Sequence, residues 1–284
     1  MATNEIGDQF TPSGVRMRCC VRRPGALNWL LLPGGPGIGS ESLLELADLL
    51  DVPGVVWLVD LPGDGSNTSP PGVSADAFAA WPQVLAEAAQ ALPLAVYVGH
   101  STGGMYLLST PALENHVVGL ALVSTAPDAG WRPRFAEMTA RNPLSEVDAA
   151  QRAFEAGGTN ERLRDLAVAS APWNFTESSR EAGQQFLARM PYNHEAVAWS
   201  DRNFDDSYVA RWWPRSLPTL ILGGAEDRIV AQDIWDGRPE LQGDNILRRV
   251  VDGAAHFPWF DYPEAVRAAF RELAEAILAR MPSD

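Results

Sequence analysis

A serine stands between close-set glycines in Gly99-His100-Ser101-Thr102-Gly103-Gly104. The segment follows the apolar run Leu94-Ala95-Val96-Tyr97-Val98 and precedes Met105-Tyr106-Leu107-Leu108. This order predicts a strand, a tight turn and a helix, with Ser101 on the turn. On such a turn the hydroxyl projects above the sheet edge. Side chains two residues before and after it would collide with their surroundings, which suits Gly99 and Gly103. The first amides of the following helix favour negative charge at the same point. A hydroxyl so placed is a nucleophile for acyl transfer once a base removes its proton.

The chain has four histidines, and position sorts them, because sites in a parallel sheet form at the carboxyl ends of its strands. His116 precedes the run Gly119-Leu120-Ala121-Leu122-Val123 and falls at the opposite end. His100 leaves the turn away from the hydroxyl and is expected to be packed and hydrogen-bonded. His256, in Gly253-Ala254-Ala255-His256-Phe257-Pro258, follows an apolar run and is the expected base, with His194 the second choice. The base needs an acid that accepts from its other ring nitrogen and fixes the tautomer. Asp227, in Gly223-Gly224-Ala225-Glu226-Asp227, is the expected acid and Asp128 the second choice, while Asp60 and Asp64 precede the serine and read as turn residues.

Pro33-Gly34-Gly35-Pro36-Gly37 follows an early apolar run. Its place and its glycines suit an oxyanion hole, with the amides of Gly35 and Thr102 as donors; Pro36 has no N–H to give. The competing reading, a phosphate loop, lacks both the G-x-x-x-x-G-K-[ST] and the G-x-G-x-x-G patterns. No lysine occurs anywhere, which excludes a Schiff base or a Ser-Lys dyad. The reading implies neither a cofactor nor a metal.

The elements that must position these residues alternate as in a mostly parallel sheet flanked by helices, an α/β fold. Strands are expected at 28–33, 55–60, 94–99, 119–124, 219–223 and 246–251. Helices are expected at 42–50, at 74–92 with Ser74 as N-cap, and at 263–280. Residues 128–214 break the rhythm with several helices and many aromatics. They read as a helical lid inserted into a core domain formed by 1–127 and 215–284. From this insertion Trp173, Tyr192, Glu195 and Trp199 are candidate substrate contacts.

The formal net charge of −14 disfavours nucleic acid and anionic membranes. No apolar stretch reaches the roughly 20 residues that a membrane-crossing helix needs. The two cysteines, Cys19 and Cys20, are adjacent and staple no distant segments. With the polar, acidic start, they lead to an expectation of a reduced, cytoplasmic protein.

Together, Pro33–Gly37, the turn Asp60-Leu61-Pro62-Gly63-Asp64-Gly65, the elbow at 99–104, the Asp227 loop and Gly253–Pro258 with Trp259 resemble the α/β-hydrolase superfamily, and within it the proline iminopeptidase-like serine hydrolases. The resemblance covers nearly the whole chain and includes the order Ser, Asp, His. It implies an α/β-hydrolase fold with a helical lid, no cofactor, and a small-molecule or short-peptide substrate. Relatives commonly carry His-Gly-Gly-Pro-Gly at the oxyanion loop, where this chain has Pro33, and often a histidine in the D-x-x-G-x-G turn, where it has Asp64. Iminopeptidases of this type hold the substrate amine with lid carboxylates, and the segment 189–195, ending in Glu195, is similar to one of theirs.

The reaction expected is hydrolysis of a small ester, lactone, amide or amino-terminal peptide bond through an acyl-enzyme on Ser101. Two competitors stand beside it: a hydrolase-fold binding or receptor protein with little turnover, and a cofactor-free haloperoxidase-like activity suggested by Ser-Thr-Gly-Gly at the elbow. Epoxide hydrolases and haloalkane dehalogenases of this fold need Asp where this chain has Ser101.

Overall fold

The apolar runs form one eight-stranded sheet in the computed structural model, which describes residues 8–70, 72–73, 77–241 and 243–281. The strands are β1 Gln9–Phe10, β2 Arg16–Arg22, β3 Asn28–Leu32, β4 Val55–Asp60, β5 Ala95–His100, β6 Val117–Val123, β7 Thr219–Gly224 and β8 Ile246–Val251. Their spatial order is β1-β2-β4-β3-β5-β6-β7-β8. From β4 to β8 every neighbouring pair is parallel, while β1 and β2 add an antiparallel edge. Strands β3, β5 and β7 are buried throughout, as expected of parallel strands covered on both faces.

The chain winds one way from β3 to β4 and the other way from β5 to β8. The order therefore reverses between the neighbours β3 and β5. A crevice forms at such a switch point. The glycine loop leaves β3 and the serine turn leaves β5, so topology alone brings these two segments together.

Alternation along the strands feeds two hydrophobic clusters. Leu31, Val96, Val98, Leu220 and Leu222 join one, together with Val266, Phe270, Leu273 and Ile277. These last four lie on the carboxy-terminal helix Pro263–Leu278. Leu30, Leu32, Tyr97 and Ile221 join the other, with Trp81, Val84 and Leu85 from the helix Trp81–Gln90.

Six helices stand between β6 and β7: Trp131–Arg141, Ser145–Glu155, Asn160–Ala169, Ala171–Asn174, Arg180–Ala188 and His194–Asn203. The two ends of this insertion are tied by the hydrogen bonds Ala129 N–H to Tyr208 O and Ala210 N–H to Pro127 O, both 2.8 Å. Among the described residues no helix is long and apolar enough to cross a membrane.

Two differences from the sequence reading have physical causes. Strand β2 was not expected, because its arginines interrupt any continuous apolar run; Met17 enters the core while Arg16 and Arg18 turn to the fully buried Asp60 of β4 at 2.9 and 3.1 Å. The helix expected over 74–92 begins at Trp81, where Pro82 occupies a first-turn position that favours helix starts. The expected cap Ser74 lies outside the described residues.

Candidate active site

Ser101 sits between β5 and the helix Thr102–Leu108 with φ 51° and ψ −123°. A non-glycine residue held in that region is strained. The flanking glycines make the turn feasible: a Cβ on Gly99 would stand 2.6 Å from the Gly104 Cα, and one on Gly103 would overlap the Pro33 carbonyl. The Ser101 amide donates to Val123 O at 2.8 Å, and Ser101 O accepts from the Gly104 amide at 3.0 Å.

His256 follows β8 and is 4 % exposed. Its Nδ1 lies 3.0 and 2.9 Å from the two carboxylate oxygens of Asp227, which follows β7. In a neutral ring the nitrogen that faces a carboxylate carries the proton, and Nε2 is left with the lone pair. Asp227 is itself held: Oδ1 accepts from the amides of Ile229 and Val230, each at 2.9 Å. The His256 amide donates to Asn174 O of the insertion at 3.2 Å. One residue earlier, the Ala255 amide donates to Asp261 Oδ2 at 2.9 Å, and Asp261 Oδ1 accepts from Thr176 and Ser179. Sequence reasoning did not single out Asp261, which stands in a short helix just past the histidine and ties the loop to the insertion.

Ser101 and His256 line one cavity of about 280 Å³, with Gly34, Gly35 and Thr102 in its floor. Among the described residues no hydrogen bond joins the Ser101 hydroxyl to His256, and neither the Gly35 nor the Thr102 amide donates to a protein acceptor. Catalytic hydrogen bonds of unliganded sites often tighten only around substrate. The rest of the lining is mainly apolar: Ile38, Leu163, Leu187, Val197 and Ile229 stand beside the aromatic Trp131, Tyr192 and Phe257, with Ser42, Ser170 and Asn174 as polar members.

Other candidates lie elsewhere. His100 is buried, and its Nε2–H donates to His256 O at 3.1 Å; burial, and then the neighbouring His256, hold its pKa well below the usual imidazole range. His194 bonds Asn160 at the surface, and Asp128 pairs with Arg238, so neither second choice reaches the site. Of the four expected substrate contacts only Tyr192 lines the cavity. Trp173 is buried against Phe135, with its indole N–H on Asn142 O. Glu195 is exposed in the first turn of its helix. Trp199 packs on Trp81 at 5.7 Å beside a separate cavity. From the insertion, Trp131, Leu163, Ala167, Leu187 and Val197 line the cavity with Tyr192, while Trp173 and Trp199 pack elsewhere and Glu195 meets solvent. Among the described residues no three His, Cys, Asp or Glu side chains converge as a metal site would require.

Residues 29–269 match the family described as "Alpha/beta hydrolase family". The chain belongs to the α/β-hydrolase family. It is 42% identical over 232 residues to a pimeloyl-[acyl-carrier protein] methyl ester esterase of Xanthomonas oryzae pv. oryzae (strain MAFF 311018), covering 78% of this chain and 84% of that one. A protein of the same name from Stenotrophomonas maltophilia (strain K279a) is 26% identical over 249 residues, 85% of this chain and 89% of its own. Among solved structures, a proline iminopeptidase-related protein from Thermus thermophilus superposes with a TM-score of 0.70 at 21% identity, covering 97% of this chain and 99% of that one. An esterase from Rhodococcus sp. ECU1013 gives 0.66 at 17%, covering 96% and 99%. These two likenesses show the fold. This α/β-hydrolase is an enzyme of hydrolytic type, and its curated relatives are esterases.

Proposed function

We propose that this α/β-hydrolase is a carboxylesterase that hydrolyses small esters with an apolar acyl chain through an acyl-enzyme on Ser101. The observation that carries the reading is the cavity shared by Ser101, the Asp227-oriented His256 and a mainly apolar wall of aliphatic and aromatic side chains. Its volume of about 280 Å³ sits near the lower end of the roughly 300–1,000 Å³ usual for ligand pockets, which suits a short substrate.

In this mechanism His256 Nε2 takes the Ser101 proton as Oγ bonds to the ester carbon. The carbonyl oxygen becomes an oxyanion held by the Gly35 and Thr102 amides. The intermediate collapses, the C–O bond to the alcohol breaks, and His256 returns the proton to the departing alcohol. Water, deprotonated by the same nitrogen, then releases the acid and restores the Ser101 hydroxyl. Asp227 holds the tautomer throughout. Residues 128–214 serve as a lid on the core formed by 1–127 and 215–284. Leu163, Leu187 and Val197 of the lid wall the acyl pocket.

The iminopeptidase alternative requires a carboxylate for the substrate amine, because a cation in a dry pocket needs a partner. No carboxylate lines this cavity among the described residues, and Glu195 faces solvent. The relatives named for a methyl ester of an acyl-carrier-protein conjugate support the ester reading.

A fluorophosphonate should label the wild type rapidly and leave Ser101→Ala unlabelled; labelling of both removes Ser101 from the chemistry. Short-chain p-nitrophenyl esters should turn over, while prolyl- and alanyl-p-nitroanilide should not. Cleavage of the anilides at comparable rates would reverse the assignment.

A further inference from the structure

Gly37 closes the oxyanion loop, and it is gripped from both sides. Its amide donates to Asp64 Oδ1 at 2.6 Å. Its carbonyl accepts from the Asn193 amide of the insertion at 2.8 Å. The residue has φ +91°, and a Cβ there would overlap the Asn193 carbonyl, so only glycine fits between the two partners. Asp64 Oδ1 also accepts from its own turn, the Gly65 amide, at 3.0 Å. The Asn193 side chain donates to Gly63 O of the same turn and caps the last insertion helix by accepting from the Glu195 amide at 3.1 Å. Asp64 and Asn193 are 3 % and 7 % exposed, so little water competes for these bonds. Three segments meet here: the glycine loop, the β4 turn that contains Asp64, and the insertion.

We propose that Asp64 is a positioning residue for the oxyanion hole: its carboxyl group holds the Gly37 amide and thereby the loop conformation in which Gly35 lines the cavity, while Asn193 locks the same glycine to the insertion. Asp64 touches no reacting atom. The loop Gly34–Gly37 is short and glycine-rich, and without an acceptor behind it the Gly35 amide loses its fixed direction. An oxyanion donor works only when its direction is set before the reaction. Movement of the insertion at Asn193 would release Gly37 from its other side, so the position of the insertion and the quality of the hole are linked. This inference rests on the esterase reading of the site.

The test compares wild type, Asp64→Ala and Asp64→Asn on a p-nitrophenyl ester, with rates expressed per Ser101 titrated to completion by a fluorophosphonate, which counts folded molecules only. Asp64→Ala should lower kcat by roughly 10- to 100-fold, below the roughly 10²–10³ of deleting a hole donor outright, with KM changed less than about threefold. Asp64→Asn keeps an oxygen acceptor at the same place and should retain kcat within about fivefold. A trifluoromethyl ketone, which forms the tetrahedral adduct, should lose affinity for Asp64→Ala in step with kcat/KM, while the carboxylate product should not. If the alanine variant does not fold, Asp64→Ser, too short to reach Gly37, is read in its place. Unchanged kcat in the variant without the acceptor, or a rise in KM alone, overturns the inference and leaves the esterase reading standing. Absence of ester turnover and of labelling in the wild type overturns both.

Discussion

At the scale of single residues, the site is built from groups that have no freedom left. Asp227 accepts two backbone amides on Oδ1 while facing His256 Nδ1, so its carboxylate cannot rotate away. Asp227→Asn keeps the shape but offers an amide N–H or a neutral oxygen to the ring, and the tautomer with a free Nε2 is no longer enforced. Steady-state kinetics on a p-nitrophenyl ester should show kcat lower by about 10³–10⁴-fold with KM little changed; a loss below tenfold would remove Asp227 from the acid's role. That Ser101 and His256 share a cavity, with Asp227 on the His256 ring, was legible because backbone geometry confines such residues to strand ends and surrounds the serine with glycine. Which side chains of the insertion line the cavity was not. Which faces of six helices turn inward depends on packing between helices, and residue type says little about it. Trp173 and Trp199 are bulky enough to fill space elsewhere: Trp173 packs on Phe135 within the insertion and Trp199 on Trp81 of the core.

At the scale of elements, the insertion and the histidine loop share one aromatic cluster. Phe257, next to His256, stacks on Phe175 at 4.9 Å with an interplanar angle of 8°, and the fully buried Phe186 meets Phe175, Phe257 and Phe260 edge-on. Phe186→Ala leaves a cavity beneath the base and should cost about 3–5 kcal/mol of stability. Urea unfolding followed by circular dichroism measures that loss, and a change under 1 kcal/mol would show that the cluster is not load-sharing. Elements marked by apolar runs, β3 to β7, were readable because burial on both faces demands such runs, and the edge strand β8 was readable from the apolar pairs that flank Arg248 and Arg249. Strand β2, which lies between β1 and β4, escaped because Arg16 and Arg18 reach Asp60 and leave no continuous apolar run, only the short alternation Arg-Met-Arg-Cys. The start of the helix at Trp81 escaped because the residues before it have helix-compatible composition, so periodicity alone placed the boundary too early.

At the scale of the whole molecule, an acidic chain has buried a carboxyl group, Asp64, that no arginine pairs among the described residues. Asp60 is matched by Arg16 and Arg18, but Asp64 has only amide donors. Burial, then the nearby Asp60, push the Asp64 pKa up to about 7, with Glu41 adding and the Gly37 and Gly65 amides opposing; Tyr106 also senses it. Oδ1 accepts from both amides whether or not Oδ2 carries the proton, so the grip on Gly37 persists in either form. Stability does not. Between the unfolded carboxylate range near 4 and the folded value of about 7, the folded chain binds the extra proton, so stability falls as pH rises across that window and stays low above it. The slope is at most about 1.4 kcal/mol per pH unit. Asp64→Asn has no such proton. Measured by urea unfolding at pH 5 and pH 8, the wild type should lose on the order of 2–4 kcal/mol relative to Asp64→Asn, since every other titrating group is common to both chains. A difference between the two proteins that is independent of pH would mean that Asp64 stays ionised in its pocket down to the ordinary carboxylate range. The amide hydrogen bonds would then outweigh burial.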